Sequence, residues 1–360
     1  MIPTTYTSAL LLAIFTMLCW GSWANTLKMT GKWRFELYYY DYAIGVFLAT
    51  LIAGFTVGNV EVDIPDSSVM NFTFVDNLTV SPKRLMAFAV AGGAVFNLAN
   101  MLLVAAIAVA GMSIAFPVGI GLALIEGVVL NYILKPAGNP VFLFVGSFIV
   151  LLAIIMASLA YRAHGAARIA REAASELAAK NLRTTRGASR GPSPWKGIIL
   201  SLAAGLLMGL FYPLVQMSQM TDLALGPYAA AFMFALGVLI TTPPYNLFFM
   251  NLPVEGEPVR FIEYFRGSFK LHLWGWIGGC IWAAGLISNL AASSAPRTVN
   301  IGPAISYALG QGATLISTLW GLLVWKEFAG AAPGVRGRIA LMLILFVGGL
   351  AMISVAPLFK

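Results

Sequence analysis

Glu126 lies in an apolar run of the chain, eight residues before Leu134 and well away from any polar segment. An ionised group in hydrocarbon costs ~3 kcal/mol on insertion scales, so acids in such runs are usually kept for a reason. A carboxyl there could exchange a proton or touch a solute. It could equally bond a neighbouring backbone or amide group, or line a shallow vestibule. Asp41 opens the next-to-first apolar run, where a carboxylate can cap free N–H groups and meet the positive end of a helix; a gating or coupling role is its second reading. Glu327 follows Lys326 at the end of a run, and an interfacial ion pair is expected there.

Around these acids stand groups suited to a neutral polar solute. Tyr307, Gln311 and Thr314 are spaced four and then three residues apart, which puts them on one helical face. Asn97 and Asn100 share a face as well. Their amides and hydroxyls could read carbonyl or hydroxyl groups of a solute, or serve as hydrogen-bonding glue between membrane helices. Trp20 and Trp23 lie deeper than the interfacial belt where Trp is enriched. Their ring faces suit a planar heterocycle or sugar C–H groups, and core packing is the competing account. Tyr212 precedes Pro213, which should free a backbone carbonyl in mid-helix. The chain has two cysteines, Cys19 and Cys280, both in apolar runs. They indicate no disulfide frame, and neither metal ligation nor a cofactor is expected.

The elements that hold these residues are set by composition. Of 360 residues 59% are hydrophobic and 10% charged, more apolar surface than a soluble fold could hide. Ten long runs, at about 8–29, 38–58, 84–108, 112–134, 140–161, 196–219, 227–250, 271–292, 300–326 and 338–357, are close to the ~20 residues that cross a bilayer as helix. Unbroken runs exclude a barrel of alternating strands. An all-α polytopic membrane protein of about ten transmembrane helices follows. The first run lacks a basic leader and is read as part of the mature fold. The net charge of +8 would suit nucleic acid, but the basic residues sit between spans and carry topology instead. All but five of the 22 Lys and Arg fall after spans 1, 3, 5, 7 and 9 or at the ends of those spans. The exceptions are Lys83, Arg84, Lys135, Arg297 and Lys360. These connections are therefore expected in the cytoplasm, and both termini outside, for a multi-pass protein of the plasma (inner) membrane. The acidic connection from Gly58 to Pro82, with Asn-x-Thr sequons at Asn71 and Asn77, would then be external.

Sliding the chain against itself so that Gly92-Gly93 meets Gly278-Gly279 also brings Tyr42 onto Tyr228 and Pro117 onto Pro303. Two five-span halves, residues 1–161 and 196–360, would thus be repeats, and an odd number of spans turns the second upside down. Such inverted repeats mark secondary transporters, with the solute site near the midplane. Between the halves, residues 162–195 read as a basic interfacial helix, supported by pairs such as Arg168/Glu172 and Glu176/Lys180, followed by a flexible linker near anionic lipid.

Trp20-Gly21-Ser22-Trp23, Asp41-Tyr42, Gly92-Gly93 with Asn97, Leu130-Asn131-Tyr132, and Gln311 with Ser317-Thr318-Leu319-Trp320-Gly321 and Glu327 resemble the drug/metabolite transporter superfamily. Within it they are most similar to the branch of ureide permeases and glucose/rhamnose-type sugar transporters. The resemblance implies a ten-helix carrier of a small polar solute, often proton-coupled. Two departures stand out. The central connection has no nucleotide-binding loop, and the acidic residue associated with early span 4 is replaced by the Phe116 region, a Glu appearing later, at 126.

A secondary transporter for a sugar, ureide or nucleobase-like solute is therefore expected, with protons and lipids as partners and a homodimer left open. Glu126 and Asp41 would couple the protons. An exporter of metabolites or cationic drugs on the same fold is the alternative, as is facilitated diffusion without coupling. Enzyme chemistry lacks its parts: the one Gly-x-Ser-x-Gly string, Gly187–Gly191, falls in the basic linker, and only His164 and His272 are available.

Overall fold

In a computed structural model, residues 2–31, 33–60, 72–110, 115–180, 194–221, 223–253, 257–296, 298–299 and 301–359 are described. Among them every regular element is helical. Nine helices are long and apolar enough to cross a membrane: Tyr6–Met29, Phe35–Asn59, Lys83–Ile107, Pro140–Ala167, Trp195–Met217, Pro227–Asn251, Phe269–Ser293, Pro303–Val324 and Pro333–Leu358. A tenth apolar helix, Val118–Leu134, is shorter. In chain order these are spans 1 to 10, Val118–Leu134 being span 4. The connections after odd-numbered spans define the basic side of the molecule, and the opposite side is called here the far side.

Three spans depart from simple helices. Span 1 breaks at Trp23, dividing it into Tyr6–Ser22 and Ala24–Met29. Span 4 is led by a wide turn at Phe116–Ile120. Span 9, expected to be continuous, is instead Pro303–Gly310, a junction at Gln311-Gly312, Ala313–Leu319 and a wide turn Trp320–Val324. The backbone stays right-handed through Gln311 and Gly312, and the glycines at 310 and 312 let this junction sit close against Trp20 and Met17 of span 1. Pro213, by contrast, is accommodated inside one continuous helix, Pro194–Met217.

The stretch after Tyr161 differs from expectation too. Span 5 does not stop there: one helix runs Pro140–Lys180, because the Ala, Arg and Glu that follow are good helix formers with no proline among them. The boundary placed at 161/162 thus falls inside a helix. Residues 181–193, with the Gly187–Gly191 string, lie outside the described residues, as do Asn71 and most of the acidic connection.

The principal helix contacts keep their pattern when each span is exchanged with the one five places later. Span 3 packs on spans 6 and 7, and span 8 packs on spans 1 and 2. Span 4 meets span 6, span 9 meets span 1, and spans 5 and 10 pair with each other, as do 2 with 7 and 4 with 9. Glycines bring the backbones together. A methyl at Gly93 would stand 2.0 Å from the Phe234 carbonyl oxygen, and one at Gly237 would stand 2.1 Å from that of Val90. The same four-point contact recurs where a methyl at Gly279 would strike the Tyr42 carbonyl oxygen and one at Gly45 that of Trp276. Gly93 and Gly279 correspond, as the sequence register expects. Tyr42, however, corresponds to Phe234, not Tyr228, because spans 2 and 7 are offset differently from spans 3 and 8 by connections of unequal length.

Candidate functional site

A cavity of about 460 Å³ runs from mid-depth toward the basic side. Its lining comes from the ends of spans 1, 3, 5 and 9, the starts of spans 2 and 4, and the middles of spans 6 and 8. Trp20 and Trp282 form its inner wall, their rings stacked at 5.8 Å and 16°, with the Trp20 indole N–H donating to the Trp282 carbonyl at 3.2 Å. Phe96 packs on Trp282 at 4.4 Å and Phe234 backs it from behind. Methyl groups at Gly285 or Gly310 would strike Trp20, at 2.7 and 2.8 Å, so these glycines set the ring's place.

Of the residues expected in a site, the structure brings together Trp20, Trp23, Asn100, Gln311 and Thr314 on this lining. Asn100 donates to the Tyr39 hydroxyl at 3.1 Å, which orients its amide. Gln311 projects from the break in span 9.

Asn97, Tyr212 and Tyr307 do not line the cavity. The buried Asn97 amide reaches Thr241 Oγ1 at 2.8 Å, and Val238 O and Thr242 Oγ1 at 3.2 Å, joining span 3 to span 7. Tyr307, one helical turn before Gln311, is fully buried, and its hydroxyl is shared between the carbonyls of Ala123 (3.1 Å) and Met208 (3.3 Å). Tyr212, fully buried, packs on Tyr307 with ring centroids 5.2 Å apart. These two tyrosines belong to the plug that closes the far side. There Asn289 and Ser306 exchange hydrogen bonds at 3.0 Å, and Gln216 donates to Ser293 at 3.3 Å.

Glu126 is also outside the cavity. Its carboxylate lies against span 6, where a methyl at Gly209 would stand 2.7 Å from Oε2, and this buried oxygen finds no hydrogen-bond partner among the described residues.

Glu327 does not pair with its neighbour Lys326. It reaches across the cavity mouth to Lys28 and accepts a hydrogen bond from Tyr161 at 3.2 Å. Nearby, Trp325 donates to Asn25 at 2.6 Å and Trp320 to Ser22 at 2.9 Å, tying span 9 to span 1. Phe96, Trp282 and Lys28 are lining residues that sequence reasoning does not single out, and Glu327, expected in an interfacial ion pair beside Lys326, pairs instead with Lys28. Their partners are hundreds of residues away, and helical spacing within one span carries no signal of that.

Asp41 is not a helix cap. Span 2 begins at Phe35 after Arg34, so Asp41 lies six residues inside it, with a side chain that is 0% exposed. Its Oδ1 accepts from the Tyr264 hydroxyl at 2.7 Å and its Oδ2 faces His272 Nδ1 at 2.8 Å. Trp33 packs edge-on against the His272 ring, at 5.9 Å. Burial and the Asp41 carboxylate push the Tyr264 phenol up from its ordinary range, so it stays a donor. The sequon at Asn77 has its own surprise. The residue is buried, donating to Ala224 O at 2.9 Å and accepting from Gly226 N–H at 2.8 Å, so its amide is committed to packing rather than open to a glycan.

Comparison with known proteins fits this architecture. The ureide permease family profile matches residues 38–193. Ureide permease 2 of Arabidopsis thaliana is 26% identical over 96% of this chain and 95% of its own length. Ureide permease 1 of the same plant is 24% identical over 94% of each. A probable ureide permease A3 of Vigna unguiculata is 22% identical, covering 76% of this chain and 84% of the relative. One protein of known crystal structure shares the fold, with a TM-score of 0.57 at 17% identity and 96% coverage of both chains. Over nearly all of its length, this multi-pass membrane chain is thus similar to the ureide permeases, which their names describe as transporters.

Proposed function

We propose that the chain is a carrier of drug/metabolite transporter type that moves a small, neutral, planar solute of the ureide class by alternating access. Two inverted five-span halves would rock about the cavity, with the basic side in the cytoplasm and the termini outside, in the plasma membrane. The observation that carries this reading is the chemistry of the lining. Aromatic faces at Trp20, Trp282 and Phe96 share this lining with the neutral amides of Asn100 and Gln311. The charged side chains on it, Lys28 and Glu327, neutralise each other at the mouth. A planar ureide could stack on the indoles while its N–H and C=O edges meet the amides. An exported cation would want an unpaired acid at the aromatic wall, and Glu126 lies outside it. Sugars can use the same indole faces, so a sugar is retained as a second solute to be tried.

Proton coupling belongs to this proposal, with Glu126 and Asp41 as its groups. Glu126 is suited to it as a carboxyl inside span 4, set against span 6 with one buried oxygen that finds no partner among the described residues.

Uptake into proteoliposomes tests the reading, with allantoin, uracil, glucose and tetraphenylphosphonium as probes, with and without a pH gradient. Allantoin should be taken up and the cation ignored. Removing an amide that reads a solute edge costs about 1–3 kcal/mol, so Gln311→Ala should raise KM roughly tenfold. Transport of the cation in preference to the neutral solutes would overturn the proposal. Gradient-independent allantoin flux would leave a facilitated carrier.

A further inference from the structure

The Asp41 cluster joins three elements at the basic side: span 2, the start of span 8 and the short helix Ile262–Phe265 between spans 7 and 8. It buries a carboxylate completely, gives it two side-chain partners, and leaves His272 16% exposed. His272 Nε2 points toward the connection before span 8, where a methyl at Gly267 would lie 2.8 Å from it. Water on the basic side therefore reaches the imidazole but not the carboxylate.

Packing alone does not call for this chemistry. Spans 3 and 7 repeat the contact of spans 8 and 2, with Gly93 and Gly237 in place of Gly279 and Gly45. Carried through the same register, Asp41 corresponds to Met233, His272 to Met86 and Tyr264 to Leu78. All three counterparts are apolar and packed against the core. The molecule thus contains an apolar solution to the same joint, yet uses an acid and a base in one copy. Because a buried ion pair is often no more stable than well-packed apolar side chains, stability is a poor reason for the difference.

We propose that Asp41, His272 and Tyr264 form a proton-binding site, entered through His272 from the basic side, which couples the proton to movement of span 2 against span 8. The proton-binding half of this inference stands by itself; the coupling half rests on the transport function proposed above. With His272 neutral, its Nδ1–H and the Tyr264 hydroxyl both donate to a carboxylate, and the pair carries one negative charge. A proton from water adds at Nε2 to give imidazolium, and the pair becomes neutral overall with a stronger attraction across the joint. Proton uptake therefore tightens span 2 on span 8, and release loosens it. Tyr38, one turn before Asp41, carries the change toward the cavity: its hydroxyl bonds Thr26 at 2.6 Å, beside the lining residues Leu27 and Lys28.

The other titratable and charged groups around the site are phenols and paired ions, together with the exposed Lys270 two residues before His272 on span 8. Tyr38 and Tyr40 face it from span 2 and Tyr264 from the short helix. Arg34 pairs with Glu36 at the start of span 2, and Glu263 lies between Arg260 and Arg266. Span 1 presents Thr26, and span 7 presents Met250, whose sulfur accepts from Tyr40 at 3.8 Å.

With only two histidines in the chain, His164→Gln leaves a single imidazole to follow. The full-length protein in nanodiscs, with 15N-labelled histidine, is titrated by NMR. His272 should show an imidazolium transition whose midpoint falls in pH with Asp41→Asn and rises with Tyr264→Phe, which removes one donor competing for the carboxylate. A transition insensitive to both substitutions, or none between pH 4 and 10, overturns the proton site whatever the solute proves to be. In proteoliposomes with allantoin, Asp41→Asn and His272→Gln should lose gradient-driven accumulation while keeping counterflow exchange. Accumulation retained in either variant overturns the coupling role. Should Asp41→Asn fail to fold, the Tyr264→Phe and His272→Gln proteins carry the same decision.

Discussion

The joint of span 2 with span 8 and the joint of span 7 with span 3 have the same backbone design and different side chains. Both are closed by a pair of glycines, each facing a carbonyl of the other helix within 2.3 Å of where a methyl would be. The basic-side joint then adds Asp41, His272 and Tyr264, where the far-side joint has Met233, Met86 and Leu78. Small residues are the ordinary means of membrane helix association, since lipid offers no hydrophobic drive. The polar trio is therefore an addition to a joint that already works, and what it adds is charge that can change.

The shared part of the comparison should give the largest effects. Gly93→Ala and Gly279→Ala each push a methyl into a backbone carbonyl that cannot swing away, and each should cost about 3 kcal/mol. Thermal melts of purified protein check this. Similar losses from the two substitutions would sharpen the equivalence of the joints, and a large loss from one alone would break it.

The differing part can be tested by transplanting it. Asp41→Ala leaves the His272 and Tyr264 donors facing a hole without their acceptor and should cost about 2 kcal/mol. The triple change Asp41→Met, His272→Met, Tyr264→Leu copies the far-side joint into the basic side. Melting should return to within about 1 kcal/mol of the parent, because apolar replacement of a whole buried pair is often neutral. Allantoin exchange should persist and its dependence on a pH gradient should vanish. A triple variant as unstable as Asp41→Ala would show that the two joints are not interchangeable.

How much of this was legible in the sequence follows from the range of each signal. The apolar runs and the two Gly-Gly pairs are local, and they fixed the spans and the register of spans 3 and 8. Type and depth within single spans point to Trp20, Trp23, Asn100, Gln311 and Thr314, all of which line the cavity. Spacing does put Tyr307 one turn from Gln311, but it carries no signal that Tyr307 is buried with its hydroxyl against the carbonyls of Ala123 and Met208. Hydropathy starts the span at 38 and so suggests a cap at Asp41, while the helix itself starts at Phe35. Its partner His272 lies 231 residues away, a pairing no periodicity can show. The offset between spans 2 and 7 depends on the lengths of the connections, so Tyr42 was matched to the wrong residue.

The smallest effect expected concerns how each joint is tied to its short preceding helix. On the basic side Tyr264 of Ile262–Phe265 bonds span 2 through Asp41. On the far side the helix Phe74–Val80 is tied instead by Asn77, whose amide holds Ala224 and Gly226 just before span 7. Both ties link the short helix to the same member of the joint, one through an ionisable group and one through an amide that does not titrate. Asn77→Ala should therefore cost about 1–3 kcal/mol in thermal unfolding, the penalty of unsatisfied buried backbone groups. It should leave the pH dependence of allantoin uptake as it is in the parent. Tyr264→Phe should do the reverse, shifting the pH dependence with a smaller change in melting. If Asn77→Ala moved the pH profile as far as Tyr264→Phe, the far-side joint would also report on protons, and the asymmetry between the two copies would lose its functional meaning.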